Sequence, residues 1–369
     1  MAGGGQGGQV GQVTQAGQAG PPPSGPPVAP GALRGAAPAA GVPGGVSPVT
    51  QGTVAAHARG QRLADRLFQG STLFFALVVF SLLGAILLSL YQGSLPALHR
   101  FGFRGFVTSR DWNPVTEKFG ALVDIYGTLV TSAIAMLFGI PISFGIALFV
   151  TELCPRWLKR PVATAVELLA AIPSIIYGMW GLFVLAPLLA DHVQPWITDH
   201  LGGWPLVGGL FQGPPMGIGT FTAGIILAIM VIPFISSVMR DVFETVPAIL
   251  KESTYAVGAT TWEVVSHIVL PYARVGVAGG IMLGLGRALG ETMAVTFVMG
   301  NAHEINASLF MPGNTISAHL ANEFAEAIGA LYTSSLIALG LILFIITFIV
   351  LACSKLLLLR LQRMEGRPS

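Results

Sequence analysis

The chain has 369 residues, of which 53 % are hydrophobic and only 10 % charged, with a formal net charge of +2. Soluble domains are about one quarter charged, so this balance, with a mean hydropathy of +0.72, excludes an ordinary soluble domain. So small a net charge also excludes the basic field that nucleic acid would require, and two cysteines, Cys154 and Cys353, are too few for a disulfide framework.

Residues 1–56 are a Gly/Pro/Ala/Gln tract whose one charge is Arg34. Few large apolar side chains are available to offset ordering entropy, so the tract is expected to be a disordered tail. No apolar run resembling a signal peptide occurs before Thr72, and the segment PPPSGPP has no basic anchor beside it that would mark a proline-rich ligand.

Six apolar stretches follow, near Ser71–Tyr91, Tyr126–Val150, Val162–Ala190, Thr220–Met239, Val275–Gly300 and Ala330–Ser354. Each is long enough to cross a bilayer, which takes about 20 helical residues. Together they predict an all-α polytopic membrane protein: residues 57–122 as first span and outer loop, 123–354 as a five-span core with a loop at 240–274, and 355–369 as a short tail. The cations give an orientation. Arg34, Arg59, Arg62, Arg66, Arg156, Lys159, Arg160, Arg240, Lys251, Arg274, Lys355, Arg360, Arg363 and Arg367 gather on one side; the other side has only Arg100, Arg104, Arg110 and Lys118, all in its first loop, and the loops 191–219 and 301–329 hold no Lys or Arg. The positive-inside rule then predicts both termini in the cytoplasm.

The first outer loop, Gln92–Asp124, carries Phe101, Phe103, Phe106 and Trp112 among its charges. Such aromatics suit the membrane interface or the docking of an external partner alike. In the third stretch Pro173 removes an internal hydrogen bond and predicts a kink, with Gly178 and Gly181 close behind, either for packing or to line a pathway.

The segment 240–274 reads as two short helices. Glu252, Tyr255 and Ala256 share one helical face, Gly258 stands where a helix C-terminus ends, Thr260 and Glu263 have capping-box spacing, and Pro271 closes the segment. Glu252-Ser253-Thr254, Gly258 three residues on, and Ile268-Val269-Leu270-Pro271 after nine more resemble the EAA motif of ABC importer permeases, with Ser253 and Thr254 replacing two alanines. The resemblance implies a type I importer fold (MetI-like) in which Glu252, Ser253, Thr254, Gly258, Leu270 and Pro271 form a coupling element seated in a cytoplasmic ATPase subunit.

Arg287 and Glu291 stand about one helical turn apart within the fifth stretch, some twelve residues in, where an unneeded charge costs at least ~2.5–3.5 kcal/mol. Their spacing predicts a mutual ion pair, serving either as scaffolding or on a solute pathway. A guanidinium fork matches two oxygens of an oxyanion, and a carboxylate can accept a proton from a protonated one. GRALGETMAV, together with ELLAAIPSIIYGMWGLFVL and FGALVDIYGTLVTSAIAM, resembles the PstC family of phosphate importer permease subunits from about Phe68 to Leu357. Sulfate and molybdate permeases share a related RALGE core and are the alternative. The resemblance implies inorganic phosphate as solute, membrane lipid around the spans, and three partners: a second permease subunit (PstA-like), ATPase subunits (PstB-like) and an extracytoplasmic phosphate-binding protein (PstS-like).

None of the four lysines follows a glycine, so the phosphate-cradling loop G-x-x-x-x-G-K-[ST] is absent and ATP is expected on the partners. No H-E-x-x-H or G-x-S-x-G occurs, and His57, His99, His192, His200, His267, His303 and His319 are scattered without metal-ligand spacing. A non-enzymatic chain that binds no cofactor is expected.

Overall fold

The computed structural model describes residues 48–205 and 208–365, with side chains from 65 to 360. Residues 1–47 of the expected tail lie outside the described residues, whereas from Pro48 onward the chain is helical, its first residue a proline whose fixed φ suits a helix start. Contacts divide the chain into two units, Met1–Leu73 and Phe74–Ser369. The described part of the first is the beginning of α1 (Pro48–Phe101). The second contains α2 (Phe103–Thr108), α3 (Leu122–Leu153), α4 (Arg156–Ala171), α5 (Ser174–Leu201), α6 (Thr220–Glu244), α7 (Ala248–Ala256), α8 (Thr261–Leu289), α9 (Met293–Val298), α10 (Ile316–Glu323) and α11 (Ala330–Glu365). No strand occurs among the described residues.

Six helical runs are long and apolar enough to cross a membrane: Asp65–Phe101, α3, α5, α6, α8 and Ala330–Arg360. Their number matches the sequence reading, but two boundaries do not. The helix before Pro173 ends at Ala171, Ile172 is extended (ψ 129°), and Pro173 caps a new helix. Proline disfavours helical geometry in the residue before it, so the expected kink is a complete break, and the third span starts at Ser174. The separated α4 packs beside α6, tied to it by Arg240–Glu167 (2.8 Å) and Lys159–Glu244 (3.0 Å). The fifth span likewise stops at Leu289, capped by Gly290, before the short α9.

Wide π turns occur at Phe149–Leu153, Gly181–Leu185, Leu189–Val193 and Val265–Val269. Each ends two residues before a proline: Pro155, Pro187, Pro195 and Pro271. A proline has no N–H and its ring crowds the carbonyl four residues back; at Pro187, Pro195 and Pro271 the widened turn relieves the clash without ending the helix, whereas before Pro155 the helix ends at Leu153. Pro271 therefore does not close the loop segment as expected; α8 runs through it into the membrane span.

α6 is the centre of the bundle, with two thirds of its most apolar stretch buried, whereas none of that stretch is buried in the first span. Gly276, Gly280 and Gly284 of α8 face Val242, Val238 and Ile235 of α6, and a Cβ at Gly284 would meet the Ile235 side chain at 2.4 Å. Small residues every fourth position let two membrane helices approach closely. Gly178 and Gly181 serve the same end in α5, against Ala294 of α9 and Ile226 of α6.

The first outer loop folds back on the chain. The Trp112 indole N–H donates to Glu323 Oε2 (2.8 Å), and Phe106 and Phe119 are buried among Ala97, Ile316 and Leu336. Neither a resting place on the membrane interface nor a purely external docking loop describes these aromatics; only Phe103 is largely exposed.

Candidate functional site

One candidate region is the 240–274 segment. α7 ends at Ala256, and Gly258 follows with φ +92°, where a side chain would be strained although nothing lies within 4 Å of its Cβ position. Thr260 then caps α8: its N–H donates to Glu263 Oε2 (2.7 Å) while its Oγ1 accepts from the Glu263 N–H (3.4 Å). The helix–Gly–helix unit thus stands as the spacing predicts. Glu252, Ser253 and Gly258 are exposed, Thr254 and Leu270 are partly buried, and Val269 is fully buried. Ile249, Tyr255, Val257 and Trp262 form an apolar surface at this end, Val257 being 85 % exposed. Lys251 reaches Glu152 at the foot of α3 (2.6 Å), a link that residues 99 positions apart give no sequence signal for.

The second region is the break after α8. Arg287 occupies the last turn of α8 and is exposed on the surface of the chain. Glu291 lies beyond Gly290, so the two residues do not share a continuous helix, and no ion pair joins them. The expected pairing fails because Gly290 (φ −97°, ψ 2°) leaves the helical path that would have stacked them. Glu291 instead serves the start of α9, its Oε1 accepting from the Ala294 N–H (3.4 Å), while its carbonyl accepts from Ser317 Oγ (2.6 Å). It borders a small cavity whose polar lining is Thr128, Thr131, Ser132, Thr315 and Ser317. Hydroxyls both donate and accept, so this lining suits either a water or an oxyanion oxygen.

A third cluster was not legible in the sequence. At the other end of the molecule from α7, His319 Nδ1 lies 2.7 Å from Asp124 Oδ2, and its Nε2 lies 3.0 Å from Glu323 Oε2. Glu323 Oε1 faces His303 Nε2 (3.3 Å), and the Tyr332 hydroxyl also donates to Glu323 Oε2 (2.7 Å). Burial alone would lower the His319 pKa, but the bonds to Asp124 and Glu323 outweigh it and raise the group to about 9. For Glu323 burial opposes ionisation, and the bonds from His303, His319 and Tyr332 hold it well below the usual carboxylate range. His303 and His319, 16 positions apart, are therefore not scattered in space: one donor atom each from Asp124, His303 and His319 lies within 4.8 Å of the others.

The chain as a whole is similar to known transport proteins. A family profile described as binding-protein-dependent transport system inner membrane component matches residues 139–363. The phosphate transport system permease protein PstC of Mesorhizobium japonicum is 60 % identical over 304 residues, 82 % of this chain and 93 % of that protein. The protein of the same name from Pasteurella multocida is 58 % identical, covering 83 % of this chain and 95 % of its own. A probable phosphate transport system permease protein PstC from Methanocaldococcus jannaschii is 39 % identical over 77 % of this chain and 90 % of its own length. Among solved structures, a bacterial ABC transporter involved in the import of the acidic polysaccharide alginate aligns with TM-score 0.52 at 20 % identity, covering 81 % of this chain and 99 % of that one. That likeness shows the fold alone, the all-α type I ABC importer permease fold.

Proposed function

The chain belongs to the family of binding-protein-dependent transport system inner membrane components, and from that membership we propose that it is the permease subunit of an ATP-driven inorganic phosphate importer, forming half of the translocation pathway. The observation that carries this reading is the 60 % identity to a phosphate transport system permease over nearly that protein's whole length.

The geometry supports the division of labour. The exposed apolar surface of Ile249, Tyr255, Val257 and Trp262, beside the rigid turn at Gly258, suits docking into a cytoplasmic ATPase subunit. Hydrolysis belongs to that partner, since this chain carries no phosphate-cradling loop. An arginine on the outer surface of an apolar helix is too costly to face lipid, so Arg287 faces a second permease subunit or the watery path between the two. Its guanidinium then offers the fork for phosphate, with Glu291 and the neighbouring hydroxyls as acceptors and donors. An extracytoplasmic phosphate-binding protein delivers the solute, and the distribution of Lys and Arg puts both termini in the cytoplasm.

Uptake of radiolabelled phosphate into proteoliposomes holding the assembled complex tests the reading. Uptake should require ATP and resist excess unlabelled sulfate or molybdate. Uptake without the ATPase subunits, or displacement of phosphate by sulfate or molybdate, would overturn it.

A further inference from the structure

We propose that Asp124, His303 and His319 form a binding site for a divalent transition metal of the zinc class, with Glu323 orienting both imidazoles. Asp124 comes from the first turn of α3, His303 from the loop after α9, and His319 and Glu323 from α10. Both histidine Nε2 atoms face the Glu323 carboxylate, at 3.3 and 3.0 Å. The Nδ1 atoms are thereby left as the donors, and the His319 Nδ1 points at Asp124.

A second observation is independent of these distances. The buried side-chain atoms without a hydrogen-bond partner among the described residues are Asp124 Oδ1, His303 Nδ1, His319 Nε2 and one atom of Gln194. His319 Nε2 is already turned to Glu323 Oε2 at 3.0 Å, so two atoms of the cluster, Asp124 Oδ1 and His303 Nδ1, are left open; Asp124 is only 1 % exposed. Buried polar atoms are rarely left without a partner, and two such atoms on metal-ligating residues of one cluster point to a ligand shared by them.

The donor set is two imidazole nitrogens and a carboxylate, which suits zinc, with bonds of about 2.0–2.2 Å. Glu323 supplies the outer partner that metal-bound histidines normally have, accepting from each Nε2–H and fixing the tautomer that leaves Nδ1 unprotonated. Glu323 is itself pinned by Trp112 and Tyr332. A bound metal takes the place of the proton between His319 Nδ1 and Asp124 Oδ2, and that proton leaves to solvent. The spread of 4.8 Å exceeds the edge of about 3.3 Å expected for a zinc tetrahedron, so binding draws the side chains together by small rotations. The metal would tie the start of α3 to the loop after α9 and to α10 at the end of the molecule opposite α7.

The full chain, purified with its partner subunits, is stripped with chelator, dialysed against zinc chloride and assayed for metal by mass spectrometry. Cobalt is then titrated, with four-coordinate absorption and quenching of Trp112, whose ring lies 4.2 Å from that of His319, as readouts. Wild type should retain one tightly held zinc more than the His303→Gln/His319→Gln chain. Glu323→Gln should weaken binding by about 10-fold or more. Because His319 is fully buried and its loss could unfold this end, the partly exposed His303→Gln is the decisive variant, with assembly followed by gel filtration. Equal zinc in wild type and His303→Gln would mean adventitious surface binding, and no retained zinc in wild type would mean a proton-only network; either overturns the proposal.

Discussion

Lys251 Nζ lies 2.6 Å from Glu152 Oε1, and the Glu152 side chain is only 7 % exposed. This pair joins α7, the element that presents the exposed loop, to the foot of α3, a helix packed directly on α6. A displacement of α7 is thereby transmitted to the bundle through a charged, largely dehydrated contact as well as through the chain itself.

Lys251→Met should leave the Glu152 carboxylate buried without its partner, at a cost of roughly 3 kcal/mol. The expected result is at least a tenfold fall in phosphate uptake by the reconstituted complex. The swap Glu152→Lys/Lys251→Glu should recover a large part of it. Failure of the swap, with normal protein levels, would show that the pair's electrostatics do not matter.

Gly258→Val should abolish coupling while leaving membrane insertion normal. The space around Gly258 is open, so the effect comes from forcing a branched residue to φ +92°, a local cost of about 1–2 kcal/mol or more. Uptake and ATP hydrolysis measured together should show hydrolysis no longer stimulated by transport. Wild-type uptake in this variant would remove the turn from the coupling mechanism.

Arg287→Gln should stop transport without disturbing assembly, since the side chain is exposed on this chain and no ion pair with Glu291 is broken. Glu291→Gln should be milder, because an amide oxygen can still accept from the Ala294 N–H. The double variant should stay as inactive as Arg287→Gln. Recovery of substantial uptake in the double variant would instead reveal a pair formed in another state of the complex.

Gly284→Leu should destabilise the bundle by about 1–3 kcal/mol, because its Cβ alone meets Ile235 at 2.4 Å and α8 cannot then approach α6. Thermal melting in detergent should fall, and Gly279→Leu, whose Cβ position is open, should melt close to wild type. Equal melting of the two would argue against the glycine stripe as the packing seam.

The sequence by itself determined the features whose causes are local. Six apolar runs long enough to cross a bilayer required six helices, whatever their arrangement, and the turn at Gly258 and the Thr260–Glu263 cap follow from residues within a few positions of each other. Of the two helix breaks, the one at Gly290 was not read from the sequence, and the one at Pro173 was half legible, since a proline can kink, break or be absorbed by a π turn, as Pro271 is. Which occurs depends on whether the neighbours can satisfy the freed backbone and whether the next segment has somewhere to pack. The spacing of Arg287 and Glu291 suggested a pair only on the assumption of an unbroken helix. Lys251 with Glu152, the glycines of α8 with the side chains of α6, and Asp124 with His303, His319 and Glu323 were decided by tertiary structure alone. These contacts join segments tens to hundreds of residues apart, and burial then fixes their energies, because a charge or imidazole removed from water is stabilised only by the particular groups the fold brings against it.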